Sequence, residues 1–221
     1  MKSVIRTVLV GGLAMVALSL AATGVAAAAT TPEFKPVPTK HKFKGTSGAW
    51  EGRSGGKTYT CPKGTVTGEL IGGQKLGNTV ITFTGCTSDG SGGDECPLET
   101  RGAKSGEIIS KALAGELGTA ATKEAPSGVG LLLKPEGTRE WWTMAENHCS
   151  GIAAVWDGDL VAEVAVIGKK QTTNKLISTP EFFKIKLDSG ISEDAELETL
   201  GLEAEWKNTL ELTFEEPVEV T

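Results

Sequence analysis

The first pattern that could carry chemistry is a serine motif near residue 50. Gly52-Arg53-Ser54-Gly55-Gly56 matches the G-x-S-x-G pattern that places a nucleophilic serine on a strand-to-helix turn in many hydrolases. Here the glycine pair leads into Lys57–Cys61, which alternates as a strand does, and the upstream His41 lies alone in a lysine-rich segment. We therefore interpret the motif as a turn between two strands.

A histidine and two glutamates are the other candidates for acid–base catalysis. His148 lies between Asn147 and Cys149, and a general base there would need a nucleophile and an orienting carboxylate. Glu140 and Glu146 could act as paired carboxylates in glycoside cleavage, but the chain has 28 acidic residues, among which such pairs arise by chance. We predict that His148 is a surface or partly buried side chain beside a disulfide. We predict no catalytic residue and no enzymatic activity.

An acidic, glycine-rich segment is the one candidate for binding a cation. Residues 89–95 (DGSGGDE) place Asp89, Asp94 and Glu95 in a flexible loop, and carboxylate oxygens on a loop suit Ca²⁺. The spacing does not match an EF-hand loop, so a solvated loop without a cation is the alternative. Zinc is disfavoured because the sequence has no C-x-x-C pair and only two histidines. We predict no resident metal and no cofactor.

Two adjacent tryptophans are candidates for stacking on a ligand. Trp141 and Trp142 would face opposite ways if they lie on a strand, so we expect one in the core and the other nearer the surface. An exposed tryptophan can stack on a sugar ring or anchor a protein partner. Packing under a loop is the alternative interpretation.

Four cysteines can form two disulfides, and three pairings are possible. Cys86 and Cys96 bracket the acidic glycine loop, whose flexibility would allow its ends to meet. That pairing leaves Cys61 to join Cys149. We predict these two disulfides, which suit an oxidising compartment outside the cytoplasm.

The N-terminus predicts export. Lys2 and Arg6 precede an uncharged run from Thr7 to Ala29 that ends in four alanines, which is the pattern of a secretory signal peptide. Retention as a membrane anchor is the alternative, because this run is long enough to span a bilayer. We expect a signal peptide over residues 1–29, an extended proline-containing lead-in over 30–42 and a single β-rich domain over 43–221.

Short alternating segments between glycines must position these residues. Strand-like segments include Asn78–Cys86, with Ile81 and Phe83 on one face, residues 153–167 around Asp157-Gly158-Asp159, and Phe183–Leu187. The 29 glycines make long helices improbable. The pattern predicts an all-β fold, an antiparallel β-sandwich or barrel-like domain.

The C-terminal segment predicts a hairpin, and two other segments allow a helix. Residues 200–206 and 210–214 alternate with period two, and Lys207-Asn208 is expected to turn between them. Ser192–Leu200 combines good helix formers with a serine cap, and Lys104–Leu113 is a weaker candidate. We therefore expect at most one or two short helices.

Several segments resemble a known but functionally uncharacterised family. They are Val80-Ile81-Thr82-Phe83-Thr84-Gly85-Cys86 followed by Cys96, then Gly106-Glu107-Ile108-Ile109, Leu113-Ala114-Gly115-Glu116-Leu117-Gly118 and Val129-Gly130-Leu131-Leu132-Leu133-Lys134-Pro135. Over roughly residues 42–190 the chain resembles secreted, β-rich proteins of high-GC Gram-positive soil bacteria. The resemblance implies secretion and a β-rich fold, and it assigns no catalytic residue. Trp141-Trp142 and the glutamate-rich tail are not part of it.

Charge narrows the partners that we expect. The formal net charge is −6, which disfavours a nucleic-acid partner, and no polybasic stretch favours an anionic membrane surface. We expect a secreted, non-catalytic extracellular or cell-envelope protein, structural or adhesive, whose partner is a cell-wall or extracellular glycan or a protein. A glycan- or ligand-binding β-sandwich is the alternative, and a secreted hydrolase is a more distant one.

Overall fold

The computed structural model describes residues 31–37, 41–89, 95–122, 126–146, 149, 151, 153–179, 182–187, 189, 192–194 and 196–221, so the predicted signal peptide lies outside it. The described residues form strands and no helix, which confirms the all-β prediction. The strands are β1 (Phe34–Lys35), β2 (His41–Ser47), β3 (Trp50–Ser54), β4 (Lys57–Cys61), β5 (Lys63–Leu70), β6 (Lys75–Thr84), β7 (Thr87–Asp89), β8 (Glu95–Pro97), β9 (Glu99–Thr100), β10 (Glu107–Ile109), β11 (Leu113–Thr122), β12 (Pro126–Pro135), β13 (Glu140–Ala145), β14 (Ala153–Gly158), β15 (Leu160–Val164), β16 (Gln171–Ser178), β17 (Phe182–Leu187), β18 (Ser192–Asp194), β19 (Leu197–Thr199) and β20 (Leu202–Val220).

Eight strands close into an antiparallel barrel, which is one of the two architectures that the sequence predicts. Going round it, β20 pairs with β2, β2 with β5, β5 with β6, β6 with β11, β11 with β12, β12 with β15, β15 with β16, and β16 with β20 again. An eight-stranded barrel is narrow enough for side chains to fill. The inward residues are mostly aliphatic, among them Ile81, Leu117 and Leu131.

A small second core explains why three consecutive leucines are buried on one barrel strand. Leu131 and Leu133 belong to the main core, whereas Leu132 packs outside the barrel against Val161 and Ile185. Strand β17 covers this outer face by pairing with the second half of β11. Gly118 permits the close approach, because a Cβ there would lie 2.5 Å from the carbonyl oxygen of Lys186.

Eight of the short strands outside the barrel form a second region, which we call the crown. One sheet joins β3, β4, β7 and β8, and the other joins β9, β13, β14 and β19. Both sheets pair with the first residues of β20, since β19 pairs with Leu202 and Glu203 and β3 pairs with 204–207. The same strand therefore belongs to the crown at its start and to the barrel further on.

The predicted turn at Lys207-Asn208 is wrong, because β20 runs straight through it. Trp206, Asn208 and Leu210 all face inward, so the alternation keeps one phase across the expected break. The Asn208 side-chain amide donates to Ser47 Oγ at 2.8 Å and to the carbonyl oxygens of Gly48 and Ala49 at 3.2 and 3.1 Å. Asn208 therefore supports the neighbouring turn between β2 and β3.

Neither of the two segments that allowed a helix forms one in the described residues. Within Ser192–Leu200, β18 pairs with β17, and β19 pairs with both β14 and β20. Within Lys104–Leu113, Glu107–Ile109 pairs with β6. Open strand edges beside these segments outweigh their local helix propensity, which is a weak preference.

The predicted disulfides are also wrong: the structure joins Cys61 to Cys86 and Cys96 to Cys149. Strand register is the physical reason. Tyr59 pairs with Ser88 and Thr60 with Thr87, so the next step along that ladder brings Cys61 opposite Cys86. The β7–β8 hairpin aligns Cys96 with Ser88, which places it two residues out of step with Cys86.

Candidate functional site

The candidate stacking residues Trp141 and Trp142 are both buried, with 0% and 1% of their surface exposed. The expectation that one lies nearer the surface is therefore wrong. The Trp141 indole N–H donates to the carbonyl oxygen of Gly158 at 2.8 Å. The Trp142 ring lies against Trp206, with ring centroids 5.3 Å apart and planes at 30°. Neither ring offers a face to a ligand from solvent.

All five tryptophans of the chain belong to this one cluster. Trp50 on β3 contacts Trp142, Trp156 and Trp206 at centroid distances of 5.7, 5.5 and 5.4 Å. Phe83 of the barrel strand β6 stacks on Trp50 at 5.5 Å. The cluster thus forms the core of the crown and joins it to the barrel.

A buried polar cluster beside the tryptophans is the nearest approach to catalytic machinery among the described residues. Glu146 Oε1 accepts hydrogen bonds from Lys57 Nζ at 2.9 Å and from Ser88 Oγ at 2.7 Å. Burial, followed by the nearby carboxylates of Glu146 and Asp89, raises the pKa of Tyr59. Ser88 and Glu146 are both buried, and the serine hydroxyl donates to a carboxylate that also binds a lysine. These contacts join β4 and β7 to the residue that follows β13, and they stabilise the crown.

The Glu140–Glu146 pair does not have the geometry of a glycosidase. Both glutamates lie on or next to β13, six residues apart, which corresponds to roughly 20 Å along a strand. Paired catalytic carboxylates are about 5 to 9.5 Å apart. Glu140 accepts hydrogen bonds from Lys111 Nζ and from the Thr143 hydroxyl, both at 2.7 Å, and these bonds lower its pKa.

The other candidates occupy structural positions or lie outside the described residues. Ser54 of the G-x-S-x-G motif ends β3, and its hydroxyl donates to the carbonyl oxygen of Glu203 at 3.1 Å, in agreement with the turn interpretation. The imidazole of His41 is 3.9 Å from the Glu216 carboxylate. His148 lies outside the described residues.

The predicted cation loop is described only at its two ends. Asp89 and Glu95 face each other across the β7–β8 pair, and Asp89 Oδ1 accepts a hydrogen bond from the Thr58 N–H at 2.7 Å. Asp94 lies outside the described residues. Within the part of the chain that is described, no three histidine, cysteine or carboxylate side chains are grouped to hold a metal ion.

A groove on the barrel is the candidate binding site, and the sequence did not point to it. It has a volume of about 510 Å³ and is lined by residues 42–44 of β2, 67–69 of β5, Asn78 of β6 and 213–215 of β20. We call it the barrel groove. Its residues come from four strands that are distant in the sequence, so no local pattern indicates it.

Two phenylalanines lie beneath the barrel groove, and both are buried, with 4% and 5% of their surface exposed. Phe43 and Phe214 lie opposite each other on β2 and β20, with their rings edge to face at a centroid distance of 6.1 Å. Gly68 leaves room for the Phe43 ring, because a Cβ at Gly68 would collide with it. The ladder between β5 and β6 shifts register between Thr67 and Glu69. The pairing of β5 with β6 is therefore irregular beside the groove.

The polar part of the barrel groove mixes donors and acceptors. Lys42 and Lys44 are exposed, and no described carboxylate forms an ion pair with either one. Glu69 accepts a hydrogen bond from the Asn78 side-chain amide. Glu215 adds a second carboxylate. Such a lining suits a ligand with both apolar surface and polar groups.

Comparisons with known proteins identify no relative of this chain. No family model, no curated protein and no solved structure matches the chain. Across the described residues, no helix has the length and apolar character needed to cross a membrane. The two disulfides are typical of proteins in an oxidising compartment.

Proposed function

We propose that this protein is exported and acts in the extracellular space or cell envelope as a non-catalytic structural or adhesive protein. It binds a cell-wall or extracellular glycan or a protein partner through the barrel groove. The observation that carries the proposal is the groove itself, where two exposed lysines without a described ion-pair partner lie beside the carboxylates of Glu69 and Glu215, above a buried phenylalanine pair. Export agrees with the disulfides and with the signal-peptide pattern of residues 1–29.

The lining also favours the glycan form of the proposal. Saccharides present hydroxyl groups on their edges and C–H groups on their faces. Lysine ammonium groups and the Asn78 amide donate hydrogen bonds, carboxylates of Glu69 and Glu215 accept them, and threonine hydroxyls do both. The partly apolar groove offers a surface to the C–H face of the sugar. No described residue in the groove is a histidine or a cysteine, and the proposal requires no chemical step.

A glycan array with matched lysine variants tests the proposal. We expect sugar-dependent retention of the exported protein, and we expect Lys42→Ala/Lys44→Ala to lose it. The control Lys63→Ala/Lys104→Ala makes the same charge change at two exposed lysines that do not line the groove, and it should bind as the parent does. Equal binding by both variants would contradict the groove as the site. Turnover of an ester, peptide or glycoside by the protein would contradict the non-catalytic assignment.

A further inference from the structure

The two disulfides of the crown differ in exposure. Cys61 and Cys86 are fully buried, and Cys96 exposes only 2% of its surface. Cys149, in contrast, is exposed. Thiol–disulfide exchange begins when a thiolate reaches a disulfide sulfur, so access helps to decide which bond reacts first. Cys149 therefore carries the sulfur that a thiol in solution can reach while the crown is folded.

The two disulfides also differ in what they join. Cys61–Cys86 connects the end of β4 to the start of β7, and these strands already pair with each other. Cys96–Cys149 connects β8, in one sheet of the crown, to the turn that follows β13 in the other sheet. In the strand register β8 pairs with β7, whereas β13 pairs with β9 and β14. Opening Cys96–Cys149 therefore removes a link between the two sheets.

The turn that follows β13 also carries the buried carboxylate of the crown. The backbone carbonyl of Glu146 accepts a hydrogen bond from the Cys149 N–H at 3.1 Å. Its carboxylate accepts hydrogen bonds from Lys57 of β4 and from Ser88 of β7. Ser88 lies directly opposite Cys96 in the β7–β8 pair. The disulfide and the side-chain hydrogen bonds thus hold the same turn against the same sheet.

Loss of the covalent link favours release of this turn. A carboxylate is costly to bury and is tolerated only while its hydrogen bonds and its ion pair are kept. Glu146 exposes only 3% of its surface, and water can solvate it once the turn moves away. A disulfide restricts the conformations that the open chain can adopt. Opening it therefore shifts the turn toward a released arrangement in which Glu146 and Lys57 are hydrated.

We propose that Cys96–Cys149 is a thiol-exchange site, attacked at Cys149, and that its opening releases the turn after β13. The thiolate of a small thiol or of a protein dithiol forms a bond to Cys149 Sγ. The bond to Cys96 breaks, and Cys96 leaves as a thiolate that takes a proton from water. A second thiolate then attacks the added sulfur and frees Cys149, so that two thiols are oxidised to one disulfide. Reoxidation closes the turn again.

Exposure of the folded, oxidised protein to reduced glutathione, followed by alkylation and peptide mass spectrometry, tests which disulfide exchanges. All four cysteines form disulfides, so the protein without glutathione should take up no alkylating reagent. We expect glutathione on Cys149 and the alkyl group on Cys96 roughly tenfold sooner than any label on Cys61 or Cys86, because a buried disulfide requires local opening first. Equal rates at both disulfides, or glutathione attached to Cys96, would overturn the exchange site.

The Tyr59 hydroxyl reports whether the turn is released. Burial, followed by the carboxylates of Glu146 and Asp89, raises its pKa above the ordinary value of 10.0. Protein alkylated after selective opening of Cys96–Cys149 should therefore form tyrosinate at lower pH than the oxidised parent, as measured by absorbance.

Glu146→Gln with both disulfides intact is the reference for this titration. It removes the same charge and should shift the formation of tyrosinate in the same direction. An unchanged titration after Cys96–Cys149 is opened would overturn the release of the turn. The disulfide and the turn lie outside the barrel groove, so these outcomes leave the proposed function to its own test.

Discussion

The barrel and the crown are stabilised in different ways. The barrel closes on itself with strands of five to nineteen residues and fills its interior largely with aliphatic side chains. The crown is built mainly from strands of two to six residues, and it contains all four cysteines and all five tryptophans of the chain. Each short strand buries little surface and forms few interstrand hydrogen bonds. Large aromatic side chains and disulfides therefore supply much of the stability of the crown.

The largest difference should come from matched substitutions in the two cores. Trp142→Ala removes a ring that contacts four other tryptophans and Phe83, so we expect a loss of about 5 kcal/mol in the free energy of unfolding. Leu131→Ala in the barrel should cost about 3 kcal/mol. Denaturant unfolding measures both. A larger loss for Leu131→Ala would contradict the aromatic core as the main support of the crown.

The disulfides should have the next largest effect. Chain entropy gives about 4 kcal/mol for Cys96–Cys149, which spans 53 residues. The same estimate gives about 3.5 kcal/mol for Cys61–Cys86, which spans 25 residues. The double variants Cys96→Ser/Cys149→Ser and Cys61→Ser/Cys86→Ser should both melt earlier, the first by slightly more. Non-reducing peptide mapping that joins Cys86 to Cys96 would show the structural pairing to be wrong.

These two predictions also show where sequence reasoning succeeds and fails. Alternation and glycine positions predict several strands correctly, including Lys57–Cys61 and the inward Ile81 and Phe83. Alternation describes one strand at a time, whereas disulfide pairing depends on register between strands. Cys61 faces Cys86 only because β4 lies beside β7, and no local pattern reports that neighbour.

For the C-terminal strand, the sequence contained a signal for one continuous strand. Lys207-Asn208 is a plausible turn by composition, yet Trp206, Asn208 and Leu210 keep one phase. The unbroken phase was a signal in the sequence that pointed to one strand. The groove and the Glu146–Lys57–Ser88 cluster had no such signal, since their members come together only when distant strands pair.

A smaller effect, on the stability of the crown, is expected at alkaline pH. Tyr59 is the single tyrosine of the chain and is buried in the crown. Its pKa is raised above 10.0, so its contribution to stability is complete below pH 10 and is lost as the pH rises through the folded-state pKa. Tyr59→Phe should therefore lose less stability than the parent above that pH. Tyrosinate absorbance of the folded parent that titrates with an ordinary midpoint would contradict this.

Hydrogen exchange with and without a reductant tests the division into two regions most directly. Reduction removes both links from the crown and none from the barrel. The account predicts that amides of β4, β7, β8 and β13 lose much of their protection in the reductant, while those of β5, β6, β11 and β12 stay protected. Equal loss of protection in both sets of strands, or unchanged protection in the crown, would contradict it.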